Sequence, residues 1–347
     1  VRSARLSAVA LAALSLACAS GGGARPDWVD GPASAWPEAA WVTAVATGRD
    51  ADSASANARA ELSRIFHSRV ESTLRDVTEF SNPGDGGATT LIEKLAIDTT
   101  VSTEGSFEGV RIGDTWEERA ATWHAVAVLE KAAMRRSLEA PLADSATRVQ
   151  GHQARADSAA TALGRAKALI DAVRASRERD GLVARARVVG RPPDAFRPST
   201  GDLERDLDAV LAGTRFAVRA LEVDPATGDV SGALPALREQ LEERITRIGF
   251  QVASEGRSDA NVWLTCRMSL QEVPRGFEGH FFRWEGAYEL TGAPPHGPVV
   301  LASQASGGES YATRSVARSR ALAKGAEKLA GDLEGQISRY LRERADH

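Results

Sequence analysis

The chain has only two cysteines in 347 residues, Cys18 and Cys266. That excludes a disulfide framework, so the fold must rest on buried apolar surface. Aromatic residues are sparse at 5%, although seven tryptophans stand against three tyrosines. No Gly-x-Ser-x-Gly, no His-Glu-x-x-His and no phosphate-binding P-loop occurs, which removes the usual signatures of hydrolases, zinc proteases and NTPases. The six histidines fall at no spacing that would chelate a metal. No catalytic residue, metal or cofactor is therefore expected. A formal net charge of -4 gives no electrostatic case for binding nucleic acid.

The apolar run at the start, Leu6 to Ala17, is too short to span a bilayer. Arg2 and Arg5 precede it, and Leu14-Ser15-Leu16-Ala17 leads into Cys18, followed by Ala19-Ser20 and three glycines. The stretch resembles a bacterial lipobox, with Ser15 where leucine is commoner. The resemblance implies a lipoprotein signal peptide over 1–17, cleavage after Ala17, and a diacylglyceryl thioether and acylated amine on Cys18. Residues 18–25 would then form a flexible tether. Ala19 in place of aspartate implies export to the outer membrane, facing the periplasm. Each buried acyl methylene contributes about 0.8 kcal/mol, and two or more chains anchor stably. The alternative is an ordinary cleaved signal with an incidental cysteine. If Cys18 is lipidated, Cys266 has no partner and is a small buried residue within the strand-like "VWLTCRMSL".

The length suggests two or three domains, and 43% apolar residues suffice for real cores. Over 26–136, "WVTAVATG" opens with a β-branched run. Ser53 can cap a helix through "SASANARAELSRIF", with Ala56, Ala60 and Leu62 to Phe66 on its buried face. "HSRVESTLRDVTEF" alternates in part through Val70, Ser72, Leu74, Asp76, Thr78 and Phe80 and reads as a strand. A second helix is expected near Thr90 to Thr99. Ala125 to Leu129 reads as a central strand. "RPDWV", the "VATG" strand end, "SASANARAELSRIF", the Thr73 segment and "TWHAVAVLEKAAMRRSL" together resemble the Lpp-twenty family of bacterial envelope lipoproteins. Trp123-His124 departs from a common Tyr-Ala pair. The resemblance implies a small α+β domain without catalytic residues.

From 137 to 190 a long helical segment is expected. Leu142, Val149, Ala156, Leu163 and Ile170 recur every seven residues, with Ser145, His152, Ala159, Ala166 and Val173 three later. Pro141 should kink or start this helix. It is either a coiled-coil arm or a hairpin packing back on its own chain, with "LVARARVVG" in the partner. Residues 191–213 read as a proline-rich linker and a short helix.

Residues 214–347 read as a second α+β domain. A helix over 233–248 ends at Gly249, long alternating strands follow, and a charged helix from about Thr313 to Glu343 closes the chain. "ITRIGFQVASEGRSDANVWLTCRMSL" resembles the small domains of envelope assembly proteins of the TolB N-terminal, FlgT and LpoB kinds. The fold class is thus α+β: two small antiparallel-sheet-plus-helix domains joined by a helical segment.

Three segments invite a site. Asp114, Glu117 and Glu118 beside Trp116 could bind a sugar-like ligand or lie in an exposed turn. His280 to Phe282 reads as structural, and "SGGES" (Ser306 to Ser310) as a loop. Trp28, Trp36 and Trp41 contact a membrane or partner, or pack across a strand start. The reading these residues favour is a membrane-anchored, non-catalytic binding or assembly module with an envelope protein partner. Asn261 to Glu272 would accept a partner strand if it lies on an edge. The competing class is a periplasmic carrier of a hydrophobic ligand or lipid, which needs a large cavity beneath helix 233–248. An enzyme is the third class.

Overall fold

The computed structural model describes residues 24–31, 34–81, 109–118, 122–190, 196–254, 259–274, 279–292 and 297–343. Cys18 and the expected helix near 90–99 lie outside them. The architecture is α+β, with seven helices and nine strands among the described residues. The chain divides into two compact units, Val1–Ser68 with Ser106–Met134, and Arg69–Gly105 with Arg135–His347.

The first unit holds α1 (Asp27–Asp30), β1 (Trp41–Gly48), β2 (Arg111–Glu118), β3 (Thr122–Glu130) and the first part of α2 (Ala51–Ser81). Its antiparallel sheet runs β1-β3-β2, so the expected central strand is central. Val42, Ala44, Ala125, Ala127 and Leu129 are buried on one face. The helix supplies Ala54, Ala58, Leu62 and Phe66 at a spacing of four, all fully buried. Ala56 and Ala60, expected on that face, are exposed. The cap is Asp50: its carboxylate accepts from the Ser53 N–H at 2.7 Å, and Ser53 Oγ accepts from the Asp50 N–H at 3.1 Å.

The segment expected as a strand at 67–80 continues α2. Val70 extends the four-residue spacing from Phe66 and is buried. Thr73 Oγ1 donates to the Arg69 carbonyl at 2.8 Å, a back-bond to the preceding turn. The helical period outweighs the partial alternation.

Next in the chain are α3 (Lys131–Asp157), which belongs to the second unit from Arg135 onward, and α4 (Ala162–Val188). The expected single helix is therefore two, folded into a hairpin. Thr161 stops and restarts the chain, its hydroxyl accepting from the Gly164 N–H at 3.0 Å. Ser145 Oγ donates to the Ala175 carbonyl at 3.2 Å and Arg148 pairs with Glu178 at 3.0 Å across the hairpin. Val149, Ala156, Leu163, Ala166, Ile170 and Val173, all on the expected seams, are buried. Pro141 lies inside α3.

Then come α5 (Thr200–Ala212), β4 (Arg215–Val223), β5 (Val230–Ala233), α6 (Pro235–Ile248), β6 (Gln251–Val252), β7 (Val262–Glu272), β8 (His280–Thr291), β9 (Val299–Tyr311) and α7 (Arg314–Arg342). The sheet order is β5-β4-β7-β8-β9, with β6 beside β4. β7–β8 and β8–β9 are antiparallel, while β4 runs parallel to β7 and β6. A parallel neighbour requires a crossover, which α6 supplies. Gly249 ends α6 at φ 109°, the left-handed cap that glycine tolerates best.

One face of this sheet is the core. Phe216, Leu264, Cys266, Tyr288 and Leu290 meet Leu237, Leu241 and Ile245 of α6 and Leu329, Leu333 and Ile337 of α7 in one continuous cluster. Each large apolar side chain contributes about 1.5–3 kcal/mol by burial. The Cys266 thiol has no exposed surface, and desolvation pushes its pKa up to about 12. In a Cys18→Ser chain at pH 8, iodoacetamide should alkylate Cys266 on the order of 10³-fold more slowly in the folded than in the guanidine-unfolded state, since the thiolate is the nucleophile. Mass spectrometry of timed aliquots measures this.

Candidate binding surface

The other face of the second unit's sheet carries the residues that alternate with its core. Register aligns Leu221, Arg267, Ala287 and Gln304 in one row across four strands, and Val223, Ser269, Glu285 and Ser306 in the next. Small side chains at Ala287 and Ser306 set the floor of a groove of about 620 Å³, with Arg267, Glu285 and Gln304 lining it. Glu285 pairs with Arg283 at 3.0 Å, while Arg267 has no ion partner among the described residues. Arg219 stacks on Trp263 at 4.7 Å.

The groove runs out onto β9, an end of the sheet. β9 pairs with β8 in unbroken register from Leu301↔Leu290 to Tyr311↔His280, with an irregularity only before Leu301. It spans 13 residues and contains no Lys, Arg or Pro. Soluble proteins blunt such edges with lysine, proline, bulges or short length, and β9 uses none of these beyond Leu301. The opposite edge, β5, is four residues long.

The glycines of "SGGES" explain why this stretch is strand and not the expected loop. A Cβ at Gly307 would lie 2.7 Å from the Trp284 ring, and one at Gly308 2.3 Å from the Phe281 ring. The two glycines make room for one aromatic on each face. Behind β9, Ser303 Oγ and Tyr288 Oη both donate to Asp332 Oδ2, at 2.8 and 3.1 Å. This pins α7 to the last two strands. Burial and the neighbouring carboxylate hold the Tyr288 hydroxyl well above its ordinary pKa.

The other expected sites resolve differently. Asn261 to Glu272 supplies β7, an interior strand paired on both sides, so it is not an accepting edge. Asp114 to Glu118 belong to β2, not a turn. Asp114 accepts from Trp28 Nε1 at 3.2 Å, and Glu118 bonds both Arg25 and His124 Nε2, the latter at 3.1 Å. Trp28 is buried in a cluster with Val126, Val128, Trp36, Trp41 and Trp116, so the three early tryptophans pack on the sheet. His280 Nδ1 bonds Glu272 Oε1 at 2.7 Å and Arg314 Nε donates to Glu272 Oε2 at 2.7 Å. These two bonds hold the Glu272 carboxyl below its ordinary range. His152 sits on the α3 hairpin face, where burial and Arg155 lower its pKa. No group of three or more His, Cys, Asp or Glu able to hold a metal occurs among the described residues.

Sequence reasoning missed one polar network. Arg179 Nη2 donates to Ser176 Oγ at 2.7 Å and to the Pro198 carbonyl at 3.0 Å. Ser176 Oγ and Thr200 Oγ1 are 2.6 Å apart, and Thr200 Oγ1 donates to Asp180 Oδ2 at 2.6 Å. Because the Thr200 hydrogen goes to Asp180, Ser176 must donate to Thr200. The chain runs from cation to anion through two hydroxyls, tying α4 to the start of α5. It is a structural clamp, and the run "ASRERD" gives no sign of it in sequence.

Three solved structures resemble parts of this chain. A minor lipoprotein from Acinetobacter baumannii is 16% identical over 36% of this chain and 93% of its own, with a TM-score of 0.25. Lipoprotein GNA1162 from Neisseria meningitidis is 10% identical over 35% and 99%, also at 0.25. The secreted protein HP1454 from Helicobacter pylori is 9% identical over 86% and 97%, at 0.33. No family model matches the chain, and no curated protein matches it.

Proposed function

We propose that this chain is a bacterial envelope lipoprotein, anchored to the outer membrane through Cys18, whose second unit binds another protein without catalysis. The observation that carries the binding reading is β9, a long edge strand, regular from Leu301 to Tyr311 and without lysine, arginine or proline, continuous with an open groove. The anchor reading rests on the lipobox-like sequence before Cys18. Among the described residues no helix is long and apolar enough to cross a membrane. The non-catalytic reading is supported by where the polar groups go: Asp114, Glu118, His124, Glu272 and His280 are all engaged by neighbouring side chains.

The carrier reading is not favoured, because the space beneath α6 is filled. Leu237, Leu241 and Ile245 are at most 2% exposed and lie in the continuous core. Mass spectrometry of the chain purified from membranes should find acyl chains on Cys18 as the first mature residue. Cys18→Ser should move the protein from the membrane to the soluble fraction. An unmodified thiol in freely released protein would end the anchor reading. In-cell crosslinking from β9 tests the binding reading.

A further inference from the structure

We infer that the partner seated on β9 is a second copy of this chain, joined by antiparallel β9–β9 pairing about a twofold axis at Ser306. This rests on the reading of β9 as a binding edge and names its occupant. The regular part of the strand is 301–311, and its midpoint is residue 306. Pairing two copies so that Ser306 meets its own counterpart uses that whole span and sets every other pair.

Most of those pairs are sterically compatible. On the α7 side, Leu301 meets Tyr311 of the other copy. Tyr311 is 42% exposed, with the Arg320 guanidinium over its ring at 4.3 Å, and an aromatic–aliphatic cross-strand pair is favourable. Glu309, the strand's single charge, meets Ser303, whose hydroxyl donates to Asp332 of its own copy. Ala305 meets Gly307. On the groove side, Gln304 meets Gly308 and Ala302 meets Ser310, so no bulky side chain opposes another. An isologous contact demands such self-complementarity.

The flank of α7 fits the same arrangement. It offers a shallow groove of about 320 Å³ lined by Lys324, Lys328, Glu327, Asp332 and Gly331, with Lys324 paired to Glu327 at 3.1 Å. Its two cations and two anions balance, so two copies of this flank can meet without net repulsion. Gly331 and Gly335, one helical turn apart, have nothing within 4 Å of where a Cβ would stand, which leaves a path for a second α7.

The test is oxidative crosslinking of the purified full-length chain in detergent. Directly opposed residues of an antiparallel pair have Cα atoms about 4.5–5.5 Å apart, within disulfide reach. Ser306→Cys should give a disulfide-linked dimer, and Gln271→Cys, exposed on an interior strand, should give none. Ser306→Lys sets like charges on the axis and should weaken the dimer by at least about tenfold, with a thermal unfolding curve unchanged at dilutions where the wild type is monomeric. Monomeric Ser306→Cys whose thiol still reacts with maleimide would overturn the inference. A photo-crosslinking residue at 306 in living cells then separates the two levels. Capture of a different protein sinks the second-copy assignment and leaves β9 as a binding edge; capture of nothing sinks both.

Discussion

Phe66→Ala will cost the first unit about 3–5 kcal/mol, the usual range for removing a fully buried phenylalanine from a core that cannot collapse around the gap. Domains of this size have only about 5–15 kcal/mol in total, so most of the unit's stability goes. The effect is large because the core is thin: three strands and one helical stripe of Ala54, Ala58, Leu62 and Phe66. The two alanines contribute little volume, which leaves Leu62 and Phe66 as the bulk of the helix's packing. Tryptophan fluorescence reports on this unit, since Trp28, Trp36, Trp41, Trp116 and Trp123 lie within it and only Trp263 and Trp284 lie in the other. A melt followed at the indole emission should fall by at least about 12 °C, at roughly 4–8 °C per kcal/mol for a domain of this size. Ala60→Glu is the matched control. Ala60 is exposed on the same helix, and the substitution should change stability by no more than about 0.5 kcal/mol. A large loss at Ala60 with little at Phe66 would mean that the helix presents its other face to the sheet.

That choice of face shows where sequence pattern was sufficient and where it was not. The central position of β3 was legible because five consecutive apolar residues from Ala125 to Leu129 suit a strand covered on both sides. α6 and its end were legible because Leu237, Leu241 and Ile245 keep helical spacing up to Gly249. The extent of α2 was not, because Val70, Leu74, Thr78 and Phe80 also satisfy a period of two. The hairpin break at Ser158 to Thr161 was hidden for another reason. It contains neither Gly nor Pro, and the seam positions on both sides stay in phase. Only the Thr161 cap marks it. The candidate surface depends on strand order, which alternation alone does not encode: β7 and β9 are both long and alternating, yet one is interior and the other an edge. The difference that could have been read is chemical. β7 carries Arg267, whereas β9 has no basic residue and two adjacent glycines whose spaces are filled by Trp284 and Phe281. A loop assignment for those glycines concealed the edge.

Asp180→Ala should destabilise the second unit by about 3–5 kcal/mol, because it strips the anion from a buried cation. Arg179 is 2% exposed, and apart from Asp180 its charge meets Ser176, the Pro198 carbonyl and the face of the Phe196 ring at 5.2 Å. The hydroxyl chain makes the two ends interdependent. With Asp180 gone, Thr200 loses its acceptor, Ser176 loses the reason to point its hydrogen toward Thr200, and Arg179 faces an oxygen whose orientation is no longer fixed. Burial also pushes the Asp180 carboxyl above its ordinary value of 3.8. A folded-state pKa raised above the unfolded one means the folded chain binds the proton more tightly. In the wild type this carboxyl's contribution to stability therefore falls as pH rises from the unfolded value through the folded one, and levels off above it. Asp180→Asn keeps an acceptor for Thr200 and should abolish that slope. The decisive variant is Arg179→Met with Asp180→Leu, which removes both charges. Its loss should be smaller than the sum of the two single losses by about 1–3 kcal/mol, the coupling expected of groups in one network. Urea unfolding of the four chains, followed by far-ultraviolet circular dichroism at pH 7, measures that coupling. Strict additivity would mean that Arg179 and Asp180 stabilise α4 and α5 separately and that the chain of hydroxyls carries no energy between them.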